Sequence, residues 1–213
     1  MSAIRQPTSL RARCLRAMAS AALVASVALP AMGAHAADAG QSAWTIDRLM
    51  STLAQHKSGR ASFTETKYLA IATEPVESSG ELVFAAPDHL EKITQSPKPE
   101  HLVVDGDMLT VERANHKYTL ALAHYPELGA FIDSIRATLA GNRFALEQVY
   151  KVALKGQGDD WTLTLTPLDS RMRKVVSTIT IDGTRDALRS VAIQQADGDH
   201  SLMRLHALAA DTN

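Results

Sequence analysis

Turn signals punctuate this chain at short intervals, and that spacing constrains its fold more than any other feature. Pro87-Asp88, Asp105-Gly106, Asn115-His116, Asp182-Gly183 and Asp197-Gly198 each join residues that favour tight turns. The stretches between them are short and carry strand patterns. Trp161, Leu163 and Leu165 alternate with Thr162, Thr164 and Thr166, the period of a half-buried strand. Residues 80–85 set Leu82 and Phe84 on one face. Residues 61–71, 89–94, 101–104, 108–113, 117–123, 175–181, 188–195 and 201–205 read as further strands, with Pro97 and Pro99 breaking the chain between two of them. Strands this short, joined by turns of this kind, make antiparallel meanders.

Two segments follow a helical period instead. In 43–57, Ile46, Leu49, Met50, Leu53 and Ala54 share one face; Ser42 or Thr45 suits the N-cap, Asp47 the first turn, and Ser58-Gly59 the end. In 126–140, Pro126 fits a first helical position and Gly141-Asn142 a C-cap, with Leu128, Phe131, Ile132, Ile135 and Leu139 forming an apolar stripe. Residues 143–150 add a short helical turn. The order is helix, strands, helix, strands. That predicts an α+β, mainly β fold with an antiparallel sheet and segregated helices.

The N-terminus predicts export. Arg5, Arg11, Arg13 and Arg16 precede an apolar run from Ala17 to Met32, and Ala34-His35-Ala36 is a small-x-small cleavage pattern. Residues 1–36 read as a cleaved signal peptide and 37–213 as a single mature domain. The run is shorter than the ~20 residues of a spanning helix. Cys14 precedes it and is no lipobox cysteine, so the mature domain has no thiol and no disulfide. Removing the four signal arginines from 22 basic residues leaves 18 against 23 acidic ones, a net charge of −5. An acidic chain without a basic cluster is not expected to bind nucleic acid.

Searching for chemistry yields little. There is no Gly-x-Ser-x-Gly elbow, no phosphate-binding glycine loop and no His-Glu-x-x-His. The histidines are scattered and read as exposed turn residues. Asp105-Gly106-Asp107 and Asp197-Gly198-Asp199 lack the ligand ladder of a calcium loop and read as hairpin turns. Glu77, Glu81 and Glu91 read as solvated carboxylates. No enzyme activity, cofactor or metal is expected. What remains is apolar surface on two helices and a sheet, which either packs as an ordinary core or lines a cavity.

Ordered motifs add a resemblance. Phe63-Thr64-Glu65-Thr66, then Gly80-x-Leu82-x-x-x-x-Pro87, then Asp105-Gly106-x-x-Leu109, and later Leu165-Thr166-Pro167 and Gly183 ahead of Leu188, follow the order of the periplasmic lipoprotein-carrier family LolA. That family shows Phe-Thr-Gln-Thr, Gly-x-Leu-x-x-x-x-Pro and Asp-Gly-x-x-Leu. The chain resembles a divergent LolA-like branch, over about residues 43–205. Ala86 stands where the family carries a lid-holding Arg, and Leu90 and Lys92 stand where it carries an aromatic pair.

The resemblance implies an incomplete antiparallel β-barrel, a half-barrel sheet covered by a helical lid over an apolar cavity. It implies Phe63, Leu82, Phe84, Leu90, Leu102 and Val104 for the cavity, and Leu49, Leu53, Phe131, Ile132, Ile135 and Leu139 for the lid. The implied function is a monomeric periplasmic carrier that binds the acyl chains of a lipoprotein or another lipid. It would take them from an inner-membrane exporter towards an outer-membrane acceptor. The alternative is a module that senses lipids or lipoproteins and regulates a membrane partner.

Overall fold

A computed structural model describes residues 43–208, all within one compact unit. The expected signal peptide, with Cys14, lies outside the described residues.

The first helix, α1 (Ile46–Leu53), starts where Thr45 Oγ1 accepts the amide of Arg48 at 3.2 Å, and it buries Leu49, Met50 and Leu53. It is shorter than the expected 43–57. At its start, Trp44 leaves helical geometry to enter the core, 6.4 Å from Trp161 in an edge-on contact. At its end, Gln55, His56 and Lys57 are exposed, so a further turn would bury nothing, and the chain enters the sheet at Ser58.

Among the described residues eleven strands form one antiparallel sheet. The first half is a meander: β1 (Ser58–Tyr68), β2 (Val76–Ala85), β3 (His89–Ser96), β4 (Glu100–Asp105), β5 (Met108–Arg113) and β6 (His116–Ala121). The second is another: β7 (Tyr150–Gln157), β8 (Asp160–Pro167), β9 (Val176–Thr184), β10 (Ala187–Gln195) and β11 (His200–Ala207). Strands β1 and β11 pair in the middle, Phe63 opposite Leu205, and join the halves. The sheet order β6-β5-β4-β3-β2-β1-β11-β10-β9-β8-β7 leaves β6 and β7 as unpaired edges. A sheet this wide twists and curls. The result is the half-barrel expected.

Between β6 and β7 the chain runs through α2 (Pro126–Leu139) and α3 (Arg143–Val149). Because β6 and β7 are opposite edges, this connection has to cross the sheet, and it carries the helices over one face. They bury apolar side chains there in two clusters. The larger unites Trp44, Leu49, Met50 and Leu53 with Ala137, Leu146, Tyr150 and the inward residues of β8 and β9. The smaller unites Ile132 and Leu122 with Val104 and Leu109.

Strand β7 was not read in the sequence. Tyr150, Val152 and Leu154 do alternate with Lys151, Ala153 and Lys155, but an edge strand with an exposed lysine-bearing side gives a weak signal. The expected Asp182-Gly183 turn is also corrected. Both residues lie inside β9, and the chain reverses at Arg185-Asp186, where Arg185 has φ 56°. Gly183 is needed for packing rather than turning. A Cβ there would overlap the Trp161 ring, whose Nε1 donates to the carbonyl of Arg185 at 2.9 Å.

Gly183→Ala is therefore expected to destabilise the protein by about 1–3 kcal/mol, the usual cost of overpacking. Urea unfolding should show a lower midpoint at unchanged slope. An unaltered midpoint would mean that the Trp161 ring does not press on this strand.

Candidate functional site

Strand register decides which side chains share the helix-bearing face. Phe63 lies opposite Gly80, and Leu82 opposite Ala61. Phe84 lies opposite Leu90, and Leu90 opposite Val104. Leu102 lies opposite Lys92 on one side and Val111 on the other. So Phe63, Leu82, Phe84, Leu90, Leu102 and Val104 do occupy one face.

Their packing divides the candidates. Leu90, Leu102, Val104, Phe131 and Ile132 come together in the smaller cluster. Leu49 and Leu53 belong to the larger one, over the other half of the sheet. Phe131 packs against both and bridges them. On the strands between, Phe63, Phe84 and Leu205 are buried, while Leu82, like Ile135 and Leu139 along α2, is half-buried. Leu109, Leu120 and Leu122 complete the face and were not among the candidates; Leu109 already stood in the Asp-Gly-x-x-Leu motif.

The face is closed. A surface cleft of about 360 Å³ runs beside Trp44, Arg48, Asp159 and Arg185. Another of about 250 Å³ lies between the start of α2 and Arg171. Neither is lined by a candidate residue.

One polar side chain fastens the cover. Arg136, four residues after Ile132 and so on the same side of α2, is only 11% exposed. Its Nη2 donates to the carbonyl of Asp88 at 2.6 Å and to that of Gly106 at 2.5 Å. Those carbonyls belong to the β2–β3 and β4–β5 turns. A guanidinium is a rigid fork of donors and suits paired backbone acceptors. Its Nε is buried without a hydrogen-bond partner among the described residues, so the fastening is not fully satisfied. The sequence signal for it was a cation inside an apolar stripe.

A second polar group lies within the face. Glu65 is 5% exposed, and Lys92 Nζ sits 2.6 Å from its Oε2. Lys67 Nζ approaches Oε1 at 3.7 Å. Lys92 also lies 4.9 Å above the Phe63 ring.

The opposite face carries a third. His89 Nε2 and His101 Nε2 each lie 2.8 Å from an oxygen of Glu91. The histidines were expected to be scattered and Glu91 solvated. Adjacent strands bring them together instead, because Ile93 pairs with His101 and sets it beside Glu91. The hydrogen bonds from His89, then His101, hold the Glu91 carboxyl below its usual range, against a smaller opposing effect of burial.

The sequence comparison now decides the family. The family model for outer membrane lipoprotein carrier protein LolA-like proteins matches residues 36–213. The chain belongs to the LolA-like family. No curated protein matches it. Its fold is similar to a LolA superfamily protein of Nitrosomonas europaea, at 9% identity and TM-score 0.42, over 76% of this chain and 92% of that one. It is similar to lipoprotein LppX of Mycobacterium tuberculosis, at 12% identity and TM-score 0.44, over 76% and 91%. A putative outer membrane lipoprotein-sorting protein domain of Vibrio parahaemolyticus is similar at 13% identity and TM-score 0.41, over 78% and 92%. Likeness at this level carries no argument about ligands. Within the LolA-like fold, Arg136 ties helix to hairpins from the helix side, where Ala86 leaves the hairpin without an arginine.

Two outcomes follow. Arg136→Met should cost about 2 kcal/mol, because hydrogen bonds to a charged group are lost and two carbonyls are left bare. Hydrogen exchange should quicken in 126–140 while the sheet stays protected; unchanged exchange would remove Arg136 from the fastening. For Glu91, a lowered folded pKa gives stability that is present above the unfolded value of 4.5 and lost as pH falls below it. Thermal melts between pH 6 and 3 should therefore fall more steeply in the wild type than in Glu91→Gln, and parallel profiles would contradict the pairing.

Proposed function

We propose that this LolA-like chain is a periplasmic carrier that binds acyl chains of a lipoprotein or another lipid against the helix-bearing face and moves them from the inner membrane towards the outer. The observation that carries this reading is that the cover of an apolar face is a separable segment. Helices α2 and α3 are joined to the sheet at both edges, and Arg136 of α2 grips two hairpin carbonyls rather than being woven into the sheet. Lifting α2 exposes Val104, Leu109 and Leu122 without breaking a strand pair.

Energetics support an exchange of helix for lipid. Each buried CH₂ is worth about 0.8 kcal/mol, so one long acyl chain contributes on the order of 10 kcal/mol before the cost of opening. A chain that binds only the open form shifts the population towards it. The predicted signal at 1–36 supports a periplasmic location. The donor would be an inner-membrane exporter and the acceptor an outer-membrane protein.

The test is native mass spectrometry of the protein purified from its own compartment, followed by lipid extraction. A discrete bound mass with acyl chains is expected. A protein that stays empty after incubation with lipids and lipopeptides overturns the carrier and leaves a protein-binding regulator. Phe131 bridges both clusters and is only half-buried, so Phe131→Glu should abolish retention while circular dichroism still reports the sheet. Retention equal to wild type would take α2 out of the site.

A further inference from the structure

The ion pair on the helix-bearing face has no evident structural purpose. Apolar side chains flank Glu65 on two sides, Phe63 before it on β1 and Met203 opposite it on β11, while Ser78 lies opposite it on β2 and Lys67 follows it on β1. Taking a carboxylate out of water costs free energy, and here Glu65 is buried while both lysines that meet it stay in partial contact with solvent.

Its construction is specific. Lys92 is on β3 and Glu65 on β1, so the lysine spans β2. On that face of β2, Leu82 lies opposite Lys92 and Ser78 opposite Glu65, with Gly80 between them. Gly80 places no side chain there, and a Cβ at this position would overlap the backbone of Ile93 on β3. Ser78 Oγ lies 3.5 Å from Glu65 Oε2.

The charges do not cancel. One carboxylate, 5% exposed, faces two ammoniums, Lys92 at 23% and Lys67 at 48% exposure. Further along the same face Glu100 and Arg113 neutralise each other at 3.8 Å. The site therefore keeps one net positive charge, and its cations, not its carboxylate, are reachable.

We propose that Lys92 and Lys67, positioned by Glu65, receive a net-anionic head group, phosphate or carboxylate, of an acyl lipid whose chain lies along the Phe63–Leu82–Leu102 surface. The proposal rests on the carrier reading above. An ammonium binds such an oxyanion as a point charge with up to three donors, and low local dielectric strengthens the attraction. Selection is by head-group charge, and the apolar face supplies affinity.

The test incubates the purified protein with vesicles containing equal parts of phosphatidylglycerol and phosphatidylcholine of identical acyl chains, with a minor fraction of diacylglycerol. A separate arm uses palmitate. Protein is re-isolated and its lipids quantified by mass. Wild type should retain phosphatidylglycerol about tenfold over phosphatidylcholine, as one charge-assisted contact would give. The palmitate arm shows whether a carboxylate serves as well as a phosphate. The neutral variant Glu65→Gln/Lys67→Gln/Lys92→Gln should bring the ratio to about one. If it does not fold, Lys67→Ala, at an exposed position, should lower the ratio by itself. Equal retention of both phospholipids by wild type, with diacylglycerol also retained, overturns the head-group site and leaves the carrier standing. A ratio undiminished in the variants overturns the location. Retention of no lipid of any class overturns both readings.

Discussion

The pairing of β1 with β11 is the constraint from which the rest of the architecture follows. It sets the first and last strands side by side at the centre of the sheet, Phe63 against Leu205, and so fuses two meanders into one surface. Once the first and last strands meet in the middle, the strands nearest the middle of the sequence become the edges. The link between those edges cannot be a tight turn, because the full width of the sheet lies between them. It has to travel over a face, and amphipathic helices are the form in which it can do so while burying apolar surface. The cover is thus a consequence of strand order.

The open edges are handled by composition. Strand β6 exposes His116, Lys117, Tyr118 and Thr119, and β7 exposes Lys151 and Lys155. Charged, exposed edges oppose pairing with another chain. The two halves of the sheet hold separate apolar clusters, and α2 is shared between them through Phe131. A helix that contributes to both clusters, and whose Arg136 holds turns from two hairpins, couples the halves. Of the helices, α2 alone supplies Ile132 to the smaller cluster, while α1 is anchored in the larger through Leu49 and Leu53.

What was legible in the sequence was whatever is encoded by local period. The stripe Leu128, Phe131, Ile132, Ile135, Leu139 appears as a helix with its predicted proline start, and the Asp105-Gly106 turn appears where its residues favour it, with Gly106 at φ 52°. Alternation placed Leu82 and Phe84 on one face, and strand register sets Phe63, Leu90, Leu102 and Val104 on that same face. Gly183 misled because a glycine required by a neighbouring indole has the same letter as one required by a turn. The polar fastenings were not legible, since each joins residues far apart in sequence: Arg136 to Asp88 and Gly106, Lys92 to Glu65, His101 to Glu91. Periodicity reports a face, but not which long side chain reaches across it.

The packing of α2 on the sheet also has a physical rationale. An empty apolar cavity costs about 24 cal/mol per Å³, so a void of ~400 Å³, roughly one acyl chain, would cost on the order of 10 kcal/mol. That is comparable to the whole stability of a domain, about 5–15 kcal/mol. A protein with a permanent lipid-sized void and no disulfide would stand near the limit of folding. Packing of α2 on Val104, Leu109 and Leu122 avoids that cost. The energy a bound chain brings is of the same order as the cost so avoided. Under the proposed carrier reading, packing and cargo would compete on nearly equal terms, and a small polar contribution, such as release of the Arg136 fastening or a head group at Lys92, would be enough to decide between them.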